Sequence, residues 1–94
     1  MTIYHSSLAD VPLRDISITE RLVEGSSDDP ARILQIDGPN GATMTGAALR
    51  DRIERMAGGL GARGYGAGQV VAILAPNMPD FAVVFTAWPL VVAL

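Results

Sequence analysis

An α/β fold is predicted, with the element order helix, β-hairpin, helix, buried parallel strand, helix. Three features predict it. Residues 46–63 carry an apolar stripe at helical spacing behind a capping threonine. Gly38-Pro39-Asn40-Gly41 puts strong turn chemistry between two short strand candidates. Gly64-Tyr65-Gly66-Ala67-Gly68 feeds an apolar run that Pro76-Asn77 closes.

Residues 1–16 show no hydrophobic period and are expected to form an N-terminal arm, with the folded part in 17–94. Ser17-Ile18-Thr19-Glu20 has capping-box spacing: Ser17 caps the amide of Glu20, whose carboxylate is in reach of the Ser17 amide. Ile18, Leu22 and Val23 then share one side of a short helix, and Gly25 is expected to stop it. Ser26–Pro30 is a polar turn cluster. Arg32–Asp37 is a strand candidate, with Leu34 and Ile36 on one face and Ile33 on the other. After the turn, where Pro presets one dihedral and Asn and Gly tolerate positive φ, Ala42–Thr45 is the short return strand.

Thr45 is placed to cap the next helix. Leu49, Ile53, Met56, Ala57 and Leu60 recur at spacings of three and four, which makes one apolar face. Arg50, Asp51, Arg52, Glu54 and Arg55 form a solvated face, with Asp51 and Arg55 as an i,i+4 pair. Gly58, Gly59 and Gly61 weaken the last turns, each by about 1 kcal/mol relative to alanine, and leave room for another element to approach. Gly64 ends the helix. Gln69–Ala75 is apolar on both faces, as a buried parallel strand is. Pro79 suits a first helical turn, where its missing N–H costs nothing, and Asp80 sets a carboxylate near the positive end. This last helix is expected to reach Trp88. Pro89 breaks it, and Leu90–Leu94 begins another buried strand.

Composition narrows the function classes. The net charge is −3 and all seven cations are arginine. Such a chain has no long-range attraction for phosphate backbones, so no nucleic-acid partner is expected. Cysteine is absent, which excludes disulfides, thiolate catalysis and cysteine metal sites. The N-terminus lacks the basic-then-apolar pattern of a signal peptide, and a cytoplasmic location is expected. The longest apolar run, Phe81–Leu94, is interrupted by Pro89 and falls short of the roughly 20 residues of a membrane span. Nearly half the residues are apolar, 49%, which is rich for so short a chain and points to surfaces made for a partner.

The chemical motifs are sparse. Gly59-Leu60-Gly61-Ala62-Arg63-Gly64 matches the dinucleotide fingerprint in letters, yet a helix precedes it and a strand follows. The fingerprint needs the reverse order to aim a helix N-terminus at pyrophosphate, so the match is read as a frayed helix end. Gly64–Gly68 reads first as a tight connection and second as a backbone anion nest. No lysine exists to serve a Walker loop. His5 is the single histidine and lies in the arm. Asp28-Asp29 reads as turn solubility, and Ser6-Ser7 and Ser26-Ser27 have no base near them in sequence. Phe81, Phe85 and Trp88 make a helical stripe whose expected role is core packing. No catalytic, cofactor-binding or metal-ligating residue is therefore assigned.

Four segments in order resemble the N-terminal region of the adenylate-forming (AMP-binding) ligases, especially acyl-CoA and coumarate-CoA ligases. Asp15–Ile18 with Thr19 and Leu22 is similar to their first helix. Thr43-Met44-Thr45-Gly46-Ala47-Ala48-Leu49 resembles their T-Y-A-E-L segment, and Gly68-Gln69-Val70-Val71-Ala72-Ile73 their G-D-x-V-A-I. Pro76-Asn77-Met78-Pro79-Asp80-Phe81 resembles P-N-S-P-E-F. The departures are Gly46 in place of an aromatic, Ala48 in place of the capping glutamate, Gln69 in place of aspartate, and a divergent tail after Ala87.

The resemblance implies an N-terminal fragment of the large ligase domain. The family's reaction joins a carboxylic acid and ATP into an acyl-adenylate, then passes the acyl group to CoA, as in fatty acid metabolism. ATP, Mg and CoA are implied for the whole protein and none of them for this chain. The family's phosphate-cradling loop, ribose-binding aspartate and catalytic lysine lie later in those enzymes and match no position here. The segment is thus expected to be structural, inactive alone, and to pack on the rest of the ligase chain or on a second copy through its apolar C-terminal element. The alternative is a self-associating or partner-binding module that uses Phe81, Val84, Phe85 and Trp88 as its contact surface. A third reading is a peripheral protein anchored by its tail.

Overall fold

The computed structural model describes residues 1–93. The chain is a mixed α/β arrangement of three helices and one antiparallel hairpin: α1 (Ile18–Asp28), β1 (Ile33–Ile36), β2 (Thr43–Thr45), α2 (Gly46–Ala62) and α3 (Pro79–Ala93). Residues 1–17 carry no helix or strand.

Local chemistry sets most of the ends. Ser17 Oγ accepts the Glu20 amide at 3.1 Å, so its half of the capping box forms and starts α1. Gly25 does not stop that helix. It keeps a right-handed backbone, and α1 continues to Asp28. The stop is Pro30, which disfavours helical geometry in the residue before it; Asp29 accordingly turns out at φ −141°. Nor do Ile18 and Leu22 face inward, since both are exposed. The buried side of α1 is Thr19 and Ser26.

β1 and β2 pair Ile33 with Thr45, Gln35 with Met44 and Ile36 with Thr43, with a register shift between Ile33 and Gln35. The turn between them closes through Gly41, at φ +72°, whose amide donates to the Asp37 carbonyl at 2.7 Å. Asn40 Oδ1 accepts the Ala42 amide at 2.8 Å. Only Met44 of the hairpin is buried; Ile33, Leu34 and Ile36 remain exposed.

α2 begins on the Thr45 cap, whose Oγ1 accepts the Ala48 amide at 3.2 Å. The two amides before it donate to carbonyls of the preceding loop, Gly46 to Arg32 at 3.0 Å and Ala47 to Pro30 at 2.9 Å. All three otherwise orphaned donors of this first turn are satisfied. The helix ends in a Schellman motif. Gly64, at φ +87°, donates to the Gly61 carbonyl at 3.0 Å, and Tyr65 reaches back to the Leu60 carbonyl at 3.1 Å.

The apolar stripe of α2 packs as its spacing predicts. Ile53 and Ala57 are buried against Ala87 and Val91 of α3, and Leu49, Met56, Leu60, Trp88 and Leu90 close around them. Burying a side chain such as Ile53 or Val91 is worth about 1.5–3 kcal/mol. α1 joins this seam through one buried hydrogen bond, in which Thr19 Oγ1 donates to the Thr86 carbonyl at 2.8 Å.

Three expectations fail in the last third of the chain. Gln69–Ala75 is not a strand: it has no ladder partner, and Val70 and Leu74 are 95% and 103% exposed. A parallel strand needs a neighbouring strand, and β1–β2 forms a sheet by itself. Pro89 does not break α3, which runs on to Ala93 with the proline inside it. The interior proline forfeits the bond to the Phe85 carbonyl, a loss of about 3 kcal/mol, but a break there would take Leu90 and Val91 off the seam. The expected strand Leu90–Leu94 is therefore helix through Ala93, and Leu94 lies outside the described residues. Third, of the Phe81–Phe85–Trp88 stripe only Trp88 packs against the core. Phe81 is 38% and Phe85 62% exposed, whereas Val83, Ala87 and Val91 face inward.

The glycines also divide differently. A Cβ at Gly58 or Gly59 would meet nothing within 4 Å, so among the described residues no element uses the space they leave. A Cβ at Gly46 would stand 2.5 Å from the Ser26 carbonyl oxygen, where α1 crosses the start of α2. Gly46→Ala is expected to destabilise the chain by about 1–3 kcal/mol through overpacking. Gly58→Ala is expected to stabilise it by roughly 0.5–1 kcal/mol, since helical backbone entropy is the only change. Urea unfolding of the two variants checks both; equal effects would contradict the close approach.

Candidate functional site

A concavity lies between α2 and α3. It encloses about 580 Å³ and is lined by Arg52, Arg55, Arg63, Met56, Leu60 and Val83, with Gly59 and Asp80 completing it. The helical spacing of α2 makes this lining: Met56 and Leu60 belong to the apolar stripe, and Arg52, Arg55 and Arg63 stand on its border. Arg52 reaches across to Asp80 of α3 at 2.9 Å, and Arg55 pairs with Asp51 at 2.9 Å within its own helix. Arg63 has no ion-pair partner among the described residues. The rim is thus cationic over an apolar floor. It holds no hydroxyl, thiol or imidazole, and its carboxylate, Asp80, is paired with Arg52, so the groove can contact an apolar or anionic surface. The sequence placed Arg52 and Arg55 on a solvated face; that α3 would form a second wall rests on the Arg52–Asp80 contact, which spans 28 positions.

The motifs weighed in the sequence stand apart from one another. Gly59–Gly64 forms the last turn and cap of α2, where the carbonyls of Gly59, Leu60 and Gly61 accept bonds from Arg63, Gly64 and Tyr65. Carbonyl oxygens gathered at a helix C-terminus repel phosphate. In Gly64–Gly68 the Gly64 and Tyr65 amides cap the helix, and the Gly66 amide donates to Gln69 Oε1 at 2.8 Å. Those donors are engaged internally. His5 lies exposed in the arm, and Ser6 Oγ accepts the Leu8 amide. Ser26 Oγ donates to the Val23 carbonyl at 2.8 Å, and Asp29 sits 3.8 Å from Arg32. Among the described residues, no three His, Cys, Asp or Glu side chains gather to hold a metal, and no helix is long and apolar enough to cross a membrane.

One ion pair stands out by its geometry. Arg14 donates two hydrogen bonds to the Glu24 carboxylate, at 2.8 and 3.1 Å, and so ties the arm to α1. These bonds hold the Glu24 carboxyl below the usual carboxylate range, and Glu24 raises the Arg14 guanidinium in turn.

Residues 19–93 match the AMP-binding enzyme family. A curated relative, 4-coumarate–CoA ligase 4 of Arabidopsis thaliana, is 33% identical over 91 residues. That alignment covers 90% of this chain and 16% of the plant ligase, so the chain spans a small part of the relative's length. No solved structure matches the chain.

The depressed Glu24 titration has a defined sign. A carboxyl whose folded pKa is lowered favours the fold above its unfolded pKa, and that contribution disappears as pH falls through the folded value. In an NMR titration the Glu24 carboxyl is expected to protonate below the usual carboxylate range, and Arg14→Gln to raise its midpoint. Added salt should act in the same direction, since both partners are exposed. An unchanged Glu24 midpoint in Arg14→Gln would show that the pair does not form.

Proposed function

The chain belongs to the AMP-binding enzyme family, and we propose that it is the N-terminal structural segment of an ATP-dependent acyl-CoA ligase. The observation that carries this reading is the family match over residues 19–93 together with its alignment to a short stretch of a coumarate-CoA ligase. The parent reaction would join a carboxylic acid to ATP as an acyl-adenylate and then form the CoA thioester. In that protein Gln69–Ala75 would be a parallel strand of the large domain, and the exposed faces of Phe81, Phe85 and the hairpin would be covered by the remaining chain.

ATP use goes with the family, but the helix-start and glycine-loop amides of this segment are already engaged and are not offered to a phosphate. The first amides of α2 already donate to Arg32, Pro30 and Thr45. The amides of Gly64, Tyr65 and Gly66 are likewise engaged, and the sequence holds no lysine to meet a phosphate. No step of the reaction is assigned to any residue of this segment.

Surface area supports a scaffold role. A compact monomer of 9.9 kDa exposes roughly 5,200 Å² by the size scaling of folded proteins. This chain exposes 7404 Å². The surplus includes large apolar side chains, as expected of a piece cut from a larger core.

Incubated with ATP, magnesium and 4-coumarate, the purified 94-residue chain is expected to release no pyrophosphate above the blank. Release would overturn the scaffold reading. In a whole ligase carrying this segment, the amides of residues 70–75 are expected to exchange slowly with deuterium, as a central strand does. Fast exchange there would remove the strand assignment.

A further inference from the structure

We propose that Asn40 is a site of spontaneous covalent change, gated by the hairpin turn. The Gly41 backbone nitrogen closes on the Asn40 side chain to a succinimide, which water opens to aspartate or isoaspartate. The inference is independent of the ligase reading, because it rests on contacts within residues 37–42. Asn40 and Gly41 are both exposed at the tip of the hairpin. They are neighbours in the chain, so the reacting groups are held near each other without a binding step. A side chain on the residue after the asparagine hinders the closure. Gly41 has none, and a Cβ built there would meet nothing within 4 Å.

The atoms balance with water as the one co-reactant. The Gly41 nitrogen forms a bond to Asn40 Cγ and gives up its proton. The Cγ–Nδ2 bond breaks, and Nδ2 leaves with that proton as ammonia. Water then adds to one of the two ring carbonyls. Addition at Cγ leaves aspartate in a normal backbone. Addition at the Asn40 backbone carbonyl leaves isoaspartate, whose main chain runs through the former side chain.

The turn restrains both reacting groups. The Gly41 amide donates to the Asp37 carbonyl at 2.7 Å, and Asn40 Oδ1 accepts the Ala42 amide at 2.8 Å. The first bond keeps the proton that must leave; the second fixes the carbonyl that must be attacked. Conversion therefore passes through an opened turn. A two-stranded hairpin is marginal by itself, and loop tips open at low free-energy cost, so the folded chain reaches that state. Isoaspartate then lengthens the main chain by a methylene between Asp37 and Ala42, whose own bond closes the hairpin at 2.7 Å. It also adds a negative charge to a turn that already carries Asp37.

Asn77, the other asparagine of the chain, is exposed and followed by Met78, which makes it the internal control. The 94-residue chain is aged in neutral buffer, with and without urea, in water enriched in heavy oxygen, then digested and mapped by mass spectrometry. Heavy oxygen is expected at residue 40, in a mixture of isoaspartate and aspartate. In urea the conversion should be at least about tenfold faster than at Asn77. Removing the urea should slow it severalfold, because the turn then re-forms its two bonds. Gly41→Ala should slow it in urea, where any effect of the variant on the fold does not enter. No isoaspartate at residue 40 in buffer would overturn the proposal. So would aspartate alone, the mark of water attacking the side chain directly, or equal rates at Asn40 and Asn77 in urea. Equal rates at Asn40 with and without urea would remove the gate. None of these outcomes touches the ligase reading, which the pyrophosphate and exchange measurements decide separately.

Discussion

The seam of Ile53 and Ala57 against Ala87 and Val91 is the contact on which the rest of the structure depends. A two-stranded hairpin alone is marginal in water, and this one buries only Met44. α1 brings two buried polar residues, Thr19 and Ser26, and hardly any apolar burial. The α2–α3 interface is therefore where apolar area leaves water in quantity. It decides the fate of Pro89: a helix that lost its last turn there would free Leu90 and Val91, and their burial opposes the cost of the missing hydrogen bond. The Thr19 hydroxyl then fastens α1 to the same turn of α3, by way of the Thr86 carbonyl.

What was legible in the sequence is what short-range chemistry decides. Ser17, Thr45, Asn40, Gly41 and Gly64 act within four residues of where they stand, and each does what its type and position predict. The stripe on α2 was legible for the same reason, since helical periodicity is a property of one element. The features that depend on another element were not. Gly25 and Pro89 look like punctuation, and both lie inside helices. Gly25 keeps a helical backbone although its type favours a stop, and the turn after it is set by Pro30 instead. Gly46 departs from its family's pattern, yet it is the glycine that a crossing helix requires.

The buried strand is the most instructive failure. The run Gln69–Ala75 has the composition of a central strand, and composition measures the environment a segment is suited to. It does not supply the neighbours that make the environment. Here the described residues hold one hairpin and no third strand, so the same side chains stand half in solvent. Phe85 tells the same story on α3: its spacing is that of a packed face, while the packed face actually formed is the one with Ala87 and Val91.

The site was legible chiefly through chain direction. A glycine fingerprint binds phosphate because it delivers backbone N–H groups at the start of a helix. In this chain the same letters stand at the end of α2, where carbonyl oxygens collect and the nearby amides turn back to satisfy them. The cationic groove beside them was less legible, because its second wall arrives with α3 and its three arginines read in sequence as ordinary surface charge. In the groove the Asp80 carboxylate is paired with Arg52, and in the glycine run the amides of Gly64, Tyr65 and Gly66 are engaged. Beside both lies the apolar seam that holds two helices together, with further apolar side chains such as Phe85 exposed on its outer side.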